Sequence, residues 1–245
     1  MLLDNSSNDL TRQGQSVQRV KPNAAMKVVC YYPNWPYYRQ GDGKYTVEDI
    51  EPGLCTHIMY SFVVLDPSTH VMKIHDKWLD VDLGNLRKFT DLKKDYPGVK
   101  FMLALGGWTD SRKAGLYSTL LASPTKREAF VTHAVSFLQQ YGFDGLDLDY
   151  EYPVDVGNVQ SDKPGFTALV RELRAAFDPK GWELTAAVSA GAKTVDAGYE
   201  VVELSQLLDA IHLMTYDMHG SWEKSVDHHG TLYGEPGDSL TVDAA

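Results

Sequence analysis

Long hydrophobic runs, a surplus of positive charge and the common nucleotide-binding motifs are all missing from this 245-residue chain. No apolar run reaches the roughly 18 to 20 residues that a membrane-spanning helix needs. The formal net charge of −10 argues against nucleic acid or an anionic membrane as a partner, because phosphate binding needs clustered Lys and Arg. Neither GxGxxG nor GxxxxGK follows the first predicted strand, so no nucleotide cofactor is indicated. The composition favours a neutral or cationic ligand.

Cysteine is scarce, with only Cys30 and Cys55 present. No CxxC or HxxxH pattern accompanies them, which argues against a metal site. From composition alone, two free thiols and a disulfide are equally compatible, and the compartment stays open. The adjacent pair His228 and His229 also gives no metal prediction, because neighbouring side chains diverge and no acidic residue has ligand spacing.

The N-terminal residues 1–25 have no basic start followed by an apolar core, and therefore do not resemble a signal peptide. Their polar composition predicts a flexible tail or linker. Hydrophobic residues make up 43% of the chain, which suffices for the core of one large α/β domain or two small ones.

From residue 26 onward, short apolar or β-branched runs alternate with amphipathic stretches. The predicted strands are MKVVCYY (26–32), LCTHIMYSF (54–62), VKFMLAL (99–105), FDGLDLDY (143–150), ELTAAVS (183–189) and AIHLMTY (210–216). The predicted helices are 83–96, 125–142 and 164–178, with Ser123-Pro124 as the start and Gly142 as the end of the second. This alternation predicts a parallel sheet, either a barrel or a doubly wound sheet. Polar and aromatic residues at the carboxyl ends of the strands favour the (β/α)8 barrel type, with about six β/α units present.

The fourth predicted strand carries four acidic residues in the stretch FDGLDLDYEYP (143–153). Because strand side chains alternate between faces, Asp147, Asp149 and Glu151 share the face that points into the barrel. Asp144 is out of phase, so we expect it to play a supporting role. Three interpretations fit: a solvated edge strand, a divalent metal site, or acid catalysis. Closely spaced carboxylates cannot all ionise, and Glu151, nearest the barrel mouth, is best placed to donate a proton.

The same stretch resembles the DGxDxDxEYP signature of glycoside hydrolase family 18, the chitinases. Other segments resemble the first, second, third and sixth strand regions of that family, namely CYYPNWPYYR, THIMYSF, LALGGW and MTYDMHGSWE. The resemblance covers roughly residues 26–235 and is closest to an arthropod chitinase catalytic domain. It implies that residues 26–245 form the N-terminal two thirds of such a domain, because family domains continue through strands seven and eight. An open barrel of six strands is expected to expose apolar strand edges.

The resemblance implies a role for each acidic residue of the motif. Glu151 is the expected general acid and base, Asp149 orients the N-acetyl group of the substrate, and Asp147 shares a proton with Asp149 from beneath. The nucleophile is the acetamido oxygen of the substrate itself, so the anomeric configuration is retained. Tyr216 and Asp217 are expected to bond the acetamido oxygen and the distorted sugar.

Further positions match the family's substrate-binding residues. Met214 is expected on the floor of the central subsite, and Trp35 as a stacking platform further along the cleft. The remaining expected lining residues are Tyr31, Phe62, Gly107 and Trp108. Trp222 belongs to the matching HGSWE segment without an assigned role. Two residues depart from the common pattern: Tyr150 stands where many members have Trp, and Ala104 where Ser is common.

The resemblance thus implies a retaining endo-acting chitinase that needs no metal or other cofactor and acts on chitin or chitooligosaccharides. It also implies secretion, a disulfide between Cys30 and Cys55, and further domains or chitin-binding modules in a longer parent protein. Four alternatives stay open: a non-catalytic chitin-binding lectin, an inactive fragment of a chitinase, a metal-dependent barrel phosphodiesterase, and an endoglycosidase acting on N-glycans.

Overall fold

The computed structural model describes residues 26–153, 162–234 and 240–244, so the expectation for residues 1–25 lies outside the described residues. Six strands form one parallel sheet in the order β1-β2-β4-β5-β6-β7, and β3 pairs antiparallel with β2. The strands are β1 Val29–Pro33, β2 His57–Leu65, β3 Met72–Ile74, β4 Lys100–Gly106, β5 Gly145–Asp149, β6 Glu183–Ser189 and β7 Ala210–Met214. This open parallel sheet, with helices packed on its outer side, is a partial (β/α)8 barrel, as the sequence predicted.

Seven α-helices occur among the described residues: α1 Asn85–Asp91, α2 Trp108–Ser111, α3 Leu116–Leu121, α4 Pro124–Tyr141, α5 Asp162–Phe177, α6 Ala192–Gly198 and α7 Val201–Leu207. The three predicted helices correspond to α1, α4 and α5, although the first is shorter than expected and continues as a 3-10 turn over Leu92–Lys94. The predicted ends of α4 are confirmed. The Ser123 hydroxyl accepts a hydrogen bond from the Lys126 amide at 3.3 Å, and Gly142 ends the helix with φ of 80°.

Alternating side chains of the strands build two separate apolar layers. Ile58, Phe101 and Leu146 belong to the large core between the sheet and the helices. Met59 and Met102, one position away, fill the barrel interior with Ala104. Because the two layers are one residue out of phase, the register of the central strands β2, β4, β5 and β6 is specified by burial on both faces.

A charged cluster lies at the amino-terminal ends of the strands, opposite the end where the acidic residues of β5 emerge. The Glu183 carboxylate of β6 lies 3.0 Å from Nε2 of His57 in β2 and 3.1 Å from Nζ of Lys27. These partners hold the pKa of Glu183 down to about 2, with the His57 hydrogen bond as the largest cause. The cluster therefore links β2 to β6 across the sheet.

A disulfide joins Cys30 of β1 to Cys55 in the turn before β2, with the two Cα atoms 6.1 Å apart. The pairing implied by the family resemblance is confirmed. At the other edge of the sheet, β7 pairs only with β6 among the described strands, and its outward side chains Ile211 and Leu213 are exposed. Exposed apolar groups at a sheet edge were expected for an open barrel. Within the described ranges, no helix is both long and apolar enough to cross a bilayer.

Candidate active site

The acidic side chains of β5 form a series, the carboxylate row Asp147, Asp149 and Glu151, that runs toward the carboxyl end of the sheet. Asp147 and Asp149 are buried, and Glu151 is partly buried just beyond the strand. Small neighbours on both adjoining strands leave room for them: Asp147 pairs in register with Ala104, and Asp149 with Ala187. The row therefore lies inside the barrel, on the face that the period-two pattern of the sequence indicates.

Asp147, at the bottom of the row, is held by three side chains from other strands. Its carboxylate accepts a hydrogen bond from the Tyr31 hydroxyl at 2.7 Å and from the Thr185 hydroxyl at 2.6 Å. Nδ1 of His212 lies 2.8 Å from the Tyr31 oxygen and 3.4 Å from Asp147. Burial and the nearby Asp147 charge raise the pKa of Tyr31 well above its usual range, so its hydroxyl stays protonated as a donor. Asp147 is thereby fixed in one orientation.

Asp149, in the middle of the row, lacks such partners. Its Oδ1 atom is buried and makes no hydrogen bond within the described part of the chain. Burial raises its pKa to about 9, and the charges of Glu151 and Asp147 contribute in the same direction. At neutral pH Asp149 therefore carries a proton, and it keeps an oxygen available for a ligand.

Glu151, at the top of the row, lines a cleft at the carboxyl ends of the strands. Burial is the largest influence on its carboxyl group and raises its pKa, as does the charge of Asp217. A hydrogen bond with the Tyr152 side chain and the positive charge of Arg112 act in the opposite direction. The net effect is a carboxyl group that holds its proton to higher pH than an ordinary glutamic acid, as general acid catalysis requires.

The segment after β4 makes hydrogen bonds with the backbone at the end of β5. The Asp149 carbonyl accepts hydrogen bonds from the Gly107 amide at 2.9 Å and the Ser111 hydroxyl at 3.2 Å, and the same Ser111 oxygen accepts the Glu151 amide at 3.0 Å. Gly106 permits this approach, since a Cβ there would lie 2.1 Å from the Asp149 carbonyl oxygen, and its φ is +114°. The backbone position of Glu151 is thus set by β4.

A cleft of about 1130 Å³ opens above the row at the carboxyl ends of the strands. Most of the predicted site residues line it: Trp35, Phe62, Gly107, Trp108, Asp149, Glu151, Met214, Tyr216 and Asp217. Trp222 also lines it. The Trp35 and Phe62 rings stack at 6.2 Å with 16° between their planes, and the Arg112 guanidinium lies 4.5 Å from the Trp108 ring centre. The cleft thus combines flat aromatic walls with a carboxylate floor.

Tyr216 and Asp217 follow β7 and line the cleft. Burial and the charges of Asp149 and Glu151 raise the pKa of Tyr216, so its hydroxyl stays protonated at neutral pH and can donate a hydrogen bond. Asp217 has a positive φ of 53°. Two hydrogen bonds hold this segment to His229. The His229 ring accepts one from the Asp217 amide at 3.3 Å, and the His229 carbonyl accepts the other from the Met218 amide at 2.9 Å.

Three predicted residues lie outside the cleft lining. Tyr31 and Asp147 form the layer beneath the cleft, joined by their hydrogen bond. Asp144 lies at the opposite end of β5, where its carboxylate accepts from the Phe101 amide at 2.9 Å and from Lys93 Nζ at 2.5 Å. Asp144 therefore connects β5 to β4 and to the chain after α1.

The family model for glycosyl hydrolases family 18 matches residues 27–245. The chain belongs to this family. The family and the partial (β/α)8 barrel inferred from the sequence motifs are therefore both confirmed.

Relatives within glycosyl hydrolases family 18 support the same placement. "Probable chitinase 10" of Drosophila melanogaster is 48% identical over 220 residues, which are 87% of this chain and 9% of that protein. The endochitinase of Manduca sexta is 47% identical over 223 residues, which are 89% of this chain and 40% of that protein. Catalytic domain 2 of the Ostrinia furnacalis group II chitinase, solved as a mutant with penta-N-acetylchitooctaose, has a TM-score of 0.85 and 50% identity. The match covers 89% of this chain and 58% of that one, so the chain spans less than two thirds of each relative.

Several residues of this family 18 site were not identified from the sequence. Thr185 donates a hydrogen bond to Asp147, and His212 lies beside Asp147 and Tyr31. The Ser111 hydroxyl makes hydrogen bonds with the backbone of Asp149 and Glu151. His212 could have been found, because it lies two positions before Met214 and therefore shares its face of β7. Ser111 belongs to a short helix whose position only the folded chain reveals. Among the described residues, no group of three or more His, Cys, Asp or Glu is arranged to hold a metal ion.

Proposed function

We propose that this chain forms the larger part of the catalytic domain of a chitinase that hydrolyses β-1,4-linked N-acetylglucosamine polymers internally, with retention of configuration. The observation that carries the proposal is the carboxylate row, in which a hydrogen-bonded Asp147, a buried Asp149 with an unpartnered Oδ1 atom and a cleft-lining Glu151 follow one another along β5 and just beyond its end. The names of the relatives and the oligosaccharide in the Ostrinia structure support this substrate class.

In the proposed first step, Glu151 donates its proton to the glycosidic oxygen while the bond from that oxygen to the anomeric carbon breaks. The acetamido carbonyl oxygen of the same sugar attacks the anomeric carbon and forms an oxazolinium ion. Asp149 passes its proton to Asp147 and, as a carboxylate, accepts a hydrogen bond from the acetamido N–H on its unpartnered Oδ1 atom and stabilises the positive charge that develops there. The Tyr216 hydroxyl is a suitable donor to the acetamido oxygen, because its pKa is raised.

In the proposed second step, water attacks the anomeric carbon, the bond from that carbon to the acetamido oxygen breaks, and Glu151 takes a proton from the water, which restores the starting state of the enzyme. Asp147 acts from below by sharing the proton of Asp149, and Tyr31 and Thr185 keep its oxygens in place. Trp35, Phe62 and Trp108 provide the planes on which the apolar faces of the sugars stack. The reaction uses no metal or cofactor.

The test is hydrolysis of a fluorogenic chitotrioside by the 245-residue chain and by Glu151→Gln. The amide is similar in shape but cannot donate the proton, so we expect turnover to fall on the order of 10²- to 10⁴-fold. Glu203→Gln, an exposed glutamate of α7, is the matched control and should retain turnover. Equal turnover by the Glu151→Gln protein would refute the acid assignment, and chitotrioside hydrolysis that survives EDTA would remove the metal-dependent phosphodiesterase alternative. Binding of chitooligosaccharide without turnover by the unmodified chain would favour a lectin.

We also propose that the protein acts outside the cell. The Cys30–Cys55 disulfide supports this location, because disulfides persist in oxidising compartments. Thiol titration of the native protein should find no reactive cysteine, and two free thiols would contradict the proposal.

A further inference from the structure

Three aromatic side chains outside the cleft lining form a compact group, which we call the rim patch: the exposed Tyr38 and Trp78 and the half-buried Tyr37. Tyr38 is 51% exposed and Trp78 is 49% exposed. Exposed aromatic groups of this kind are uncommon on soluble proteins unless they bind something. No role described so far in the proposed reaction uses them.

The rim patch is held in place by its own contacts. The Trp78 ring centre lies 5.9 Å from that of Tyr37 and 6.2 Å from that of Tyr38, and the two tyrosine rings are 5.3 Å apart. The Tyr38 hydroxyl donates to Asp76 at 2.5 Å, and the same carboxylate accepts from the Leu79 amide at 3.0 Å. The rings are therefore preorganised, which lowers the entropy that a ligand would have to remove on binding.

Two connections join the rim patch to the wall of the cleft. Tyr37 and Tyr38 belong to the same 3-10 turn, Trp35–Tyr38, as the cleft residue Trp35. Asn34, which also lines the cleft, donates to buried Asp80 at 3.0 Å, and Asp80 belongs to the π-helical turn Trp78–Asp82 that carries the third ring. The rim patch is thus joined to the Trp35 wall by the backbone of one turn and by one buried hydrogen bond.

We propose that the rim patch binds sugar units of the polymeric substrate that extend out of the cleft beyond Trp35. This inference rests on the proposed function, since it takes the ligand to be a β-1,4-linked N-acetylglucosamine chain. Such a chain is neutral and presents apolar sugar faces edged by hydroxyl groups, which match aromatic planes edged by polar groups. Asp76 accepts at one side of the rim patch, and Lys44 Nζ lies 4.5 Å from the Tyr37 ring centre. The net charge of −10 disfavours an anionic polymer.

The test compares a long ligand with a short one. Adsorption of the 245-residue chain to insoluble chitin, and its affinity for soluble chitotriose, are measured for the parent, Trp78→Ala and Trp78→Phe. We expect Trp78→Ala to weaken adsorption to the polymer on the order of three- to tenfold more than it weakens chitotriose binding. Trp78→Phe should recover most of the polymer affinity, because it keeps an aromatic plane. Tyr233→Ala, an exposed tyrosine outside the cleft lining, is the control and should bind both ligands like the parent.

Equal losses on the two ligands would overturn the inference, because a general loss of folding affects both alike. A change in the sedimentation mass of Trp78→Ala with unchanged adsorption would also overturn it, since the rim patch would then bind a second copy of the chain. Both readouts are binding measurements and do not depend on turnover. If adsorption depends on Trp78 but the chain does not hydrolyse chitotrioside, only the proposed function is contradicted. If the chain hydrolyses chitotrioside but its adsorption does not depend on Trp78, only this inference is contradicted.

Discussion

Asp149 shows at the scale of one residue how a buried acid changes the balance between stability and activity, since its Oδ1 atom makes no hydrogen bond within the described part of the chain. Its pKa is raised to about 9, so the folded chain holds a proton that the unfolded chain releases near pH 4. The folded state is thus favoured most at acidic pH, and this contribution decreases as pH rises from about 4 to about 9. Above that range both states are ionised and the contribution no longer changes.

We predict that Asp149→Asn is more stable than the parent at neutral pH, because asparagine cannot ionise in the unfolded state. The difference in melting temperature should grow between pH 5 and pH 8, by about 2 to 4 °C for each kcal/mol of the effect. Turnover of chitotrioside should fall about 10²-fold, since the amide has no proton to pass to Asp147 and cannot become the charged carboxylate of the proposed step. Thermal unfolding followed by circular dichroism at several pH values is the measurement, and a difference independent of pH would count against the raised pKa.

At the residue scale, the sequence predicted which acidic side chains share a face, but not what holds them. The period-two alternation of FDGLDLDYEYP is local and sufficient to place the carboxylate row. The partners of Asp147 come from three other strands, since Tyr31 lies on β1, Thr185 on β6 and His212 on β7. Such contacts depend on the order and stagger of strands, which local patterns do not specify.

Among the structural elements, the end of β4 matters most for the site, because Gly106 contacts the backbone of the carboxylate strand. We predict that Gly106→Ala destabilises the chain by more than about 2 kcal/mol, since the added methyl group would collide with a backbone carbonyl. Turnover should fall at least about tenfold, because Glu151 follows the displaced carbonyl directly.

Gly84→Ala is the matched control for this prediction. Gly84 also has a positive φ, of +79°, but a Cβ there meets nothing within 4 Å. Its substitution should cost only the conformational strain, about 1 to 2 kcal/mol, and leave turnover unchanged. Urea unfolding of both variants separates the two effects, and equal losses of stability would show that the collision is relieved by small movements.

The elements that the sequence missed are the short ones. β3 has three residues, and helices α2, α3, α6 and α7 have four to seven, too few for a hydrophobic period to repeat. The six long apolar runs and the helices α4 and α5 were predictable because their periods and caps are local. Short elements depend on tertiary packing for their stability, and so their presence could be established only in the folded chain.

On the scale of the whole molecule, the two ends of the barrel respond to acid in opposite ways. Asp149 and Glu151 of the carboxylate row stabilise the folded state most when they are protonated, whereas Glu183 at the other end stabilises it when it is ionised. Because His57 and Lys27 depress the pKa of Glu183 to about 2, its contribution is fully present above about pH 4.5 and is lost as pH falls toward 2. Acid unfolding is therefore expected to begin at the end of the barrel away from the cleft.

We predict that Glu183→Gln lowers the melting temperature at pH 7 by several degrees, on the order of 2 to 4 °C per kcal/mol lost. The difference from the parent should shrink between pH 4.5 and pH 2, where the parent glutamate becomes neutral as well. Differential scanning calorimetry across this range is the measurement. Glu203→Gln, at an exposed site, is the control, and a difference that persists undiminished at pH 2 would contradict the assigned cause.

The disulfide makes one loop of this molecule sensitive to reducing agents. Cys30 and Cys55 bound a loop with a sequence separation of 25, and this loop carries Trp35 and both tyrosines of the rim patch. Reducing such a disulfide lowers the free energy of unfolding by roughly 3 kcal/mol. The effect falls on β1, which pairs only with β2 among the described strands. Reduction should therefore loosen the aromatic wall and the contact from Tyr31 to Asp147 first, whereas Asp149 and Glu151, whose backbone is held by Gly107 and Ser111, stay in place. Binding of long polymers is then lost before the backbone of β5 moves.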